Sequence, residues 1–237
     1  MAELAGSVIG FGAVEQIGLG PDAVTMLCDL FVDPAAHGRG IGRAMLTDLW
    51  ADADRRMTFS SLDARAVPLY TSFGLDAWWP LLYLHGPTAT LPISADWVVE
   101  PVTAIVAARY EARWTGADRL ADLTAWAAMP GGETVCVSRD DEVIAVGAVI
   151  TSGPDRGITH LAISPAMDDG TAAAVVLLTL AQLKGPEAEA SICLPAPHPA
   201  VRALLAGGWR FEEFDLFMAT EPLLINPRRA VPSPAQA

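Results

Sequence analysis

The pattern of apolar and polar positions divides the chain into short strands and helices. Ser7–Ile17 and Ala23–Val32 are rich in β-branched, aromatic and other apolar residues, so each run predicts a strand. The short Gly- and Pro-containing stretch between them predicts a turn, and the two strands therefore form a hairpin. Pro34 ends the second strand because proline cannot donate a ladder hydrogen bond. Apolar residues at helical spacing then predict a helix that runs to about Asp54.

The same alternation continues along the rest of the chain. Further strands are predicted at Met57–Leu62, Trp78–Leu84, Glu133–Ser138, Glu142–Thr151, Ile158–Ile163, Ala188–Leu194 and Phe211–Ala219. Further helices are predicted at Asp63–Phe73, Thr103–Trp114, Ala117–Met129, Thr171–Leu183 and His198–Ala206. Gly86–Pro92 is the best candidate for a linker, and the stretch from Asn226 onward has no periodicity.

The order of these elements occurs twice, which indicates an internal duplication. Pro34 and Pro165 each end a strand, and Gly74 and Gly208 each follow a short helix. The two prolines are separated along the chain by nearly the same distance as the two glycines, and the small difference is what one loop can absorb. We therefore predict an α/β fold of two tandem units, residues 1–86 and residues 87–225, followed by a Pro- and Arg-rich tail at residues 226–237.

Composition and charge narrow the classes of partner. The chain is 52% hydrophobic and has a formal net charge of −13. Residues 1–86 carry 10 acids and 5 bases, so the acidity is not confined to a tail, and a nucleic-acid partner is not expected. No basic, apolar leader opens the chain and no run is long enough for a membrane span, so we expect a cytoplasmic protein with no membrane partner. The many arginines and alanines indicate a GC-rich bacterial gene.

Cysteine usage argues against a disulfide framework or a metal site. Cys28, Cys136 and Cys193 lie far apart in separate apolar runs, whereas metal sites need closely spaced ligands. We therefore expect no metal, and reduced cysteines are consistent with the cytoplasm.

Three glycines stand between a predicted strand and a predicted helix. Gly38, Gly40 and Gly42 would let backbone N–H groups point at a single anion, beside the positive end of the helix dipole. The spacing matches neither the P-loop nor the dinucleotide fingerprint. Taken alone, the pattern leaves both a phosphate-binding loop and a flexible turn open.

A longer motif surrounds these glycines. The stretch LFVDPAAHGRGIGRAML resembles the acetyl-CoA loop of the GNAT N-acetyltransferase superfamily, in which a Leu-x-Val-x-Pro strand precedes Arg/Gln-x-x-Gly-x-Gly/Ala. Leu30, Val32 and Pro34 match the strand, and Gly40 and Gly42 match the loop. His37 departs from the motif because it stands at the Arg/Gln position.

A second GNAT motif follows in the correct order. Asp63–Leu75, DARAVPLYTSFGL, is similar to the family's Asn-x-x-Ala-x-x-Leu-Tyr-x-x-x-Gly-Phe helix. The matching residues are Ala66, Leu69, Tyr70 and Gly74. Asp63 replaces the asparagine and Leu75 replaces the phenylalanine.

The resemblance implies acetyl-CoA as co-substrate and direct transfer of its acetyl group to a primary amine. The implied coenzyme-binding residues are Leu30, Phe31, Val32, His37, Gly38, Arg39, Gly40, Ile41, Gly42, Arg43, Asp63 and Tyr70. In the family a backbone N–H near Val32 holds the oxyanion, and the tyrosine at position 70 protonates the leaving thiolate. The alternative for Tyr70 is a residue that only caps the core. Asp29 is the candidate general base, with Glu15 as a second choice and a plain solvated carboxylate as the alternative for both.

The second unit has the same order of predicted elements but lacks the loop glycines and the tyrosine. Asp168 stands at the position of His37, Thr171 and Ala173 replace Gly40 and Gly42, and Leu204 stands at the position of Tyr70. We therefore expect two tandem GNAT-like units, each a mixed, mostly antiparallel sheet flanked by helices, of which the second is degenerate.

The first unit has few residues before its first predicted hairpin, compared with a complete GNAT domain. It lacks the usual N-terminal strand and helices that wall the acceptor site, so we expect an exposed edge that favours a homodimer. The leading interpretation is an N-acetyltransferase. A non-catalytic acetyl-CoA-binding or regulatory protein and a protein-only scaffold are the alternatives.

Overall fold

A computed structural model of the chain describes residues 1–4, 6–18, 23–183 and 189–234. The strands are β1 (Ala2–Leu4), β2 (Ser7–Ile17), β3 (Val24–Val32), β4 (Arg56–Ser60), β5 (Asp76–Pro87), β6 (Trp97–Pro101), β7 (Gly132–Arg139), β8 (Glu142–Ile150), β9 (Gly157–Ile163), β10 (Glu189–Pro195), β11 (Arg210–Ala219) and β12 (Ala230–Val231). The helices are α1 (Ile41–Leu49), α2 (Ala66–Thr71), α3 (Ala104–Thr115), α4 (Leu120–Ala128), α5 (Asp169–Gln182) and α6 (Ala200–Ala206).

The first compact unit comprises residues 1–78, 215–224 and 234–237. Strands β1, β2 and β3 are antiparallel neighbours, β3 and β4 are parallel, and β4 pairs antiparallel with the end of β11. Helices α1 and α2 bury their apolar residues in one core with the sheet. The buried members of that core are Leu27, Leu46, Trp50, Tyr70, Leu75 and Met218. A mixed, mostly antiparallel sheet flanked by helices is confirmed for this unit.

The second compact unit comprises residues 79–214 and 225–233. Its strands run in the order β5-β10-β9-β8-β7-β6, with β9 and β10 parallel and the other neighbours antiparallel. Helix α5 packs its apolar face into the larger core, and α3 and α4 enclose a second core that includes Leu123 and Trp126. The division does not follow the repeat in the sequence, because residues 79–87 belong to the second unit and residues 215–224 to the first.

In both units the strand before the proline has an irregularity in its pairing at a matching position. In β3 the register with β2 shifts at Cys28, because the neighbouring residues Ala13 and Val14 of β2 pair with Asp29 and Leu27. In β9 the register with β8 shifts at Thr159, which stands as far before Pro165 as Cys28 stands before Pro34. A bulge increases the local twist and bends its strand. Because the two bulges occupy matching positions before the two prolines, the structure supports the duplication that the sequence predicted.

Most elements were predicted within a few residues, and the misses have local causes. Helix α1 ends at Leu49 and α2 covers only Ala66–Thr71, because the polar residues on both sides form turns. Strands β1, β6 and β12 were not predicted, since each is five residues or shorter. The predicted turn at Gly18–Asp22 lies mostly outside the described residues, as does Ala188 at the start of a predicted strand.

The predicted linker at Gly86–Pro92 was wrong at its start. Gly86 and Pro87 are the last residues of β5, which pairs with β10. A side chain at Gly86 would come within 2.6 Å of the ring of Trp209, so this glycine allows a close approach and is not a flexible joint.

A buried polar pair links a helix to the sheet in the second unit. Nε2 of His160, on β9, lies 2.8 Å from Oε1 of Glu111, on α3, and both side chains are almost fully buried. The His160 ring also stacks on Trp126 at 5.1 Å. Removing one partner of such a pair leaves the other buried without its hydrogen bond.

We expect Glu111→Ala to lower the free energy of unfolding by about 2 kcal/mol, because His160 then stays buried without a partner. Urea denaturation at neutral pH measures the change. Glu142→Ala, which removes an exposed carboxylate of the same unit, is the control and should change stability little. Equal losses in the two variants would contradict the role of the buried pair.

Candidate functional site

The first feature of the site is a gap between two parallel strands. Strands β3 and β4 pair only from Thr25 to Leu27, opposite Arg56–Thr58. Beyond the bulge at Cys28, β3 continues to Val32 beside β2 alone. The edge of β3 that faces β4 is therefore unpaired over its last residues, and we call the space between the two strands the first cleft.

The direction of the backbone places one amide in this cleft. The N–H of Asp33 donates to the carbonyl of Ile9 at 2.8 Å, so Asp33 faces β2. Because successive N–H groups of an extended strand point to opposite edges, the N–H of Val32 points away from β2 and into the first cleft. The side chains of Leu30 and Val32 lie beside α1, within 4 Å of the point where a Gly42 side chain would begin.

The glycine loop lies at the mouth of the first cleft. Asp33 caps a 3-10 turn, Pro34–Ala36, by accepting a hydrogen bond from the N–H of Ala35. Gly38 and Gly40 follow with φ of 75° and 77°, a left-handed conformation that other residues adopt at a cost. No heavy atom lies within 4 Å of a side chain added at either position, so backbone conformation and not crowding demands these glycines.

Helix α1 begins directly after the loop, with Gly40 as its N-cap and no side-chain capping bond. The first N–H groups of a helix have no partner within the helix and carry its partial positive charge. Arg39 and Arg43 are exposed on the same segment. The loop can therefore hold an anionic group through backbone N–H donors, with positive charge nearby.

His37 lies between two partners whose chemistry indicates the tautomer of its ring. Its Nε2 lies 2.8 Å from the carbonyl oxygen of Val32, and its Nδ1 contacts the guanidinium of Arg65. A carbonyl only accepts and a guanidinium only donates, so the proton is on Nε2 and Nδ1 is the acceptor. His37 thus joins the end of β3 to the segment before α2, and it does not donate to a ligand through Nδ1.

Arg65 is a site residue that the sequence did not indicate. It binds His37 on one side and Asp63 on the other, where its Nε donates to Oδ1 at 2.9 Å. This ion pair holds the pKa of Asp63 well below its usual range. The proximity of Asp63 to Arg65 is visible in the sequence, but the contact with His37 crosses 28 residues and has no local pattern.

Tyr70 is buried in the core of the first unit, with 7% of its surface exposed. Its ring meets Trp50 edge-on at 6.2 Å. Burial, and secondly the carboxylate of Asp63, raise the pKa of Tyr70 to about 12. The phenol therefore keeps its proton at neutral pH, as a proton donor must.

Asp29 lies on the opposite face of the sheet from α1. It is exposed and pairs with Ala13 of β2. Two residues along the strand, Phe31 is 56% exposed and its ring stacks on Phe11 at 5.0 Å. The second candidate base, Glu15, is half-buried on the same strand as Phe11. The face thus combines an acid with an exposed aromatic pair.

Among residues 1–4, 6–18, 23–183 and 189–234, no group of three or more His, Cys, Asp or Glu side chains could hold a metal ion. Over the same residues, every helix is too short or too polar to cross a bilayer.

We expect Gly38→Ala and Gly40→Ala each to lower the free energy of unfolding by about 1 kcal/mol, because alanine is strained at positive φ. Gly42→Ala is the matched control: Gly42 does not have positive φ, and an added methyl group would lie 3.6 Å from Leu69. Chemical denaturation of the three variants measures the difference. Equal stability of all three would show that the left-handed conformation is not required.

The raised pKa of Tyr70 predicts a loss of stability in alkali. The unfolded chain releases this proton near pH 10, whereas the folded protein holds it up to about pH 12, so unfolding becomes more favourable between these values. Between pH 9 and 11, wild type should lose about 1 kcal/mol more stability than Tyr70→Phe. Urea titrations at both pH values measure this. Tyr110→Phe, at a half-buried tyrosine of the second unit, should behave as wild type; a parallel decline in wild type and Tyr70→Phe would contradict the prediction.

Comparisons with known proteins bear on the domain family and on the fold. The family model of the acetyltransferase (GNAT) domain matches residues 1–74. The search of curated proteins gives no match. A proposed acetyltransferase from Pyrococcus horikoshii superposes with a TM-score of 0.71 at 16% identity, over 97% of this chain and 76% of that one.

Two other solved structures extend the comparison. A GCN5-related N-acetyltransferase from Anabaena variabilis has a TM-score of 0.62 at 12% identity. The superposition covers 88% of this chain and 58% of that one. A tandem GNAT protein from the clavulanic acid biosynthesis pathway has a TM-score of 0.55 at 16% identity. The superposition covers 93% of this chain and 81% of that one. At such identities the likeness establishes the fold, which extends over nearly the whole chain, while the domain match covers its first part. The chain therefore has the fold of the GNAT proteins, and residues 1–74 match the model of the acetyltransferase (GNAT) domain.

Proposed function

We propose that the protein is an acetyl-CoA-dependent N-acetyltransferase whose reaction takes place in the first cleft. The GNAT domain supports acetyl transfer in general. The observation that carries the finer proposal is the N–H of Val32, which points into the first cleft beyond the last residues of β3 that pair with β4. Residues 1–86 carry the activity in this proposal, and residues 87–225 are structural or shape the acceptor site.

The residues of the first cleft fit acetyl-CoA. The backbone N–H groups from Gly38 to Arg43 would hold the pyrophosphate, with the open space above Gly38 and Gly40 admitting it. The free edge of β3 from Leu30 to Val32 would pair with the extended, amide-containing arm of the coenzyme, as an added strand pairs with a sheet edge.

The chain's own residues then have three tasks. Asp29 accepts the proton that the ammonium group of the acceptor must lose, directly or through a water molecule. As the amine nitrogen forms its bond to the acetyl carbon, the N–H of Val32 donates to the oxygen that gains negative charge. The carbon–sulfur bond breaks, and the phenol of Tyr70 gives its proton to the departing thiolate. The products are an acetylated amine and free CoA.

A non-catalytic acetyl-CoA-binding protein is the second candidate. It is favoured by the exposure of Phe31 and Asp29, since among the described residues of the first unit no helix covers this face. An enzyme that uses this face must close it around an acceptor.

Release of CoA thiol from acetyl-CoA, measured over a panel of primary amines, tests the proposal. We expect turnover with at least one amine. Tyr70→Phe should lower kcat about 100-fold with little effect on KM for acetyl-CoA, because it removes a proton donor. Asp29→Asn should lower turnover, because an amide cannot accept the proton of the acceptor's ammonium group.

Each variant has a matched control, namely Tyr110→Phe on α3 and Asp48→Asn, an exposed acid of α1. Both should turn over as wild type. Binding of acetyl-CoA by calorimetry without turnover on any amine would overturn the enzyme and favour the binding protein. Absence of binding would overturn both and favour a scaffold.

A further inference from the structure

The second unit has a cleft that corresponds to the first. Strands β9 and β10 pair in parallel only at Gly157–Ile158, opposite Ser191–Ile192, and then separate. The separation follows the bulge at Thr159, as the separation of β3 and β4 follows the bulge at Cys28. We call the space between β9 and β10 the second cleft.

The backbone N–H of Ile163 points into the second cleft, as that of Val32 points into the first. The N–H of Ser164 donates to the carbonyl of Ile144 at 2.8 Å, as Asp33 donates to Ile9 in the first unit. By the alternation of an extended strand, the N–H of Ile163 faces away from β8 and into the second cleft. Ile163 has the same position before the strand-ending proline of its unit as Val32 has in the first, so the two amides correspond.

In the second cleft the N–H of Ile163 forms a hydrogen bond with another segment of the same chain. The N–H of Ile163 donates to the carbonyl of Arg229 at 2.8 Å. Strand β12 continues the contact, since Ala230 pairs with Ala162 and Val231 pairs with Leu161. Strand β12 also approaches β10, so it lies in the space that opens where β9 and β10 separate.

Residues 228–231 are held in place by burial of one side chain and by ion pairs of two others. The side chain of Val231 is fully buried in the larger core of the unit. Arg228 and Arg229 both form ion pairs with Asp169, the first residue of α5, and Nε of Arg229 donates to the carbonyl of Met167 at 3.0 Å. These contacts hold β12 to the loop and helix that border the second cleft.

The anion-binding end of the second cleft is filled as well. Oδ1 of Asp168 accepts the N–H of Thr171 at 2.7 Å, which caps α5 with a carboxylate at the point where α1 has the bare Gly40. The bond from Thr171 lowers the pKa of Asp168, so the group stays charged. A pyrophosphate would meet this charge and that of Asp169 instead of free N–H donors.

We propose that residues 228–231 are a built-in strand ligand of the second unit: they fill the cleft that corresponds to the acetyl-CoA cleft of the first unit and close it to the coenzyme. The second unit is thus completed by its own chain and binds no acetyl-CoA. The occupancy of the second cleft does not depend on the proposed function, whereas the expected stoichiometry of one acetyl-CoA per chain rests on it.

Val231→Asp tests the occupancy in the full chain, because a carboxylate cannot stay in the buried position of Val231. We expect amide hydrogen exchange in residues 158–164 to accelerate about tenfold or more, since β12 then leaves the edge of β9. Leu223→Asp is the matched control, as Leu223 is 73% exposed and lies a short way before β12 in the chain. It should leave this exchange unchanged, and equal exchange in wild type and Val231→Asp would overturn the proposal.

A second variant of the full chain separates specific occupancy from general unfolding. The double variant Arg228→Ala with Arg229→Ala removes the ion pairs with Asp169 but keeps Val231. It should also accelerate exchange at residues 161–163, and unchanged exchange there in both this variant and Val231→Asp would overturn the proposal.

Calorimetry with acetyl-CoA completes the test. Wild type should bind one molecule per chain, and Val231→Asp should also bind one, because Asp168 and Asp169 remain. Two molecules per wild-type chain would overturn the closure of the second cleft. No binding at all would overturn the proposed function of the first unit, while the exchange experiments would still decide the role of residues 228–231.

Discussion

Each unit contains two neighbouring parallel strands that pair for only a few residues and then separate, and this separation is the main constraint on the protein. Each separation leaves backbone N–H and C=O groups without a partner in the sheet, and such groups are costly to bury unless something satisfies them. The bulges at Cys28 and Thr159 start the separation in each unit by bending the strand that carries the free edge. What fills the resulting cleft decides what the unit can do.

The two units meet this constraint in different ways. In the first, the carbonyl of Val32 is bonded by His37, while its N–H points into a cleft bordered by glycines in left-handed conformation. In the second, the chain supplies β12 for the edge of β9 and the Asp168 carboxylate for the helix terminus. The same backbone arrangement thus leaves the end of β3 paired with β2 alone in one unit, whereas in the other unit the chain's own β12 pairs with the corresponding edge.

Much of the fold could be predicted from the sequence. The hairpin β2–β3, the stop before Pro34, the glycine at the end of α2 and the recurrence of these features in the second half of the chain all follow from local chemistry. The GNAT resemblance rested on two motifs within residues 30–75, and the family model covers residues 1–74. The linker at Gly86 was mistaken because its glycine admits Trp209, which lies far away along the chain. The roles assigned to Tyr70 and Asp29 and the boundaries of the two sequence repeats stay predictions.

By itself the sequence determined the kinds of elements, their order, the glycine loop and the loss of that loop in the second unit, because each depends on residues close together in the chain. Only the tertiary structure decided which amides are free and which are satisfied. Arg65 reaches His37 across 28 residues, and β12, in a segment without periodicity, pairs with the much earlier strand β9. Strand pairing joins backbone groups whose separation along the chain leaves no pattern in the sequence, so only the folded chain shows that β12 pairs with β9 while the end of β3 pairs with β2 alone.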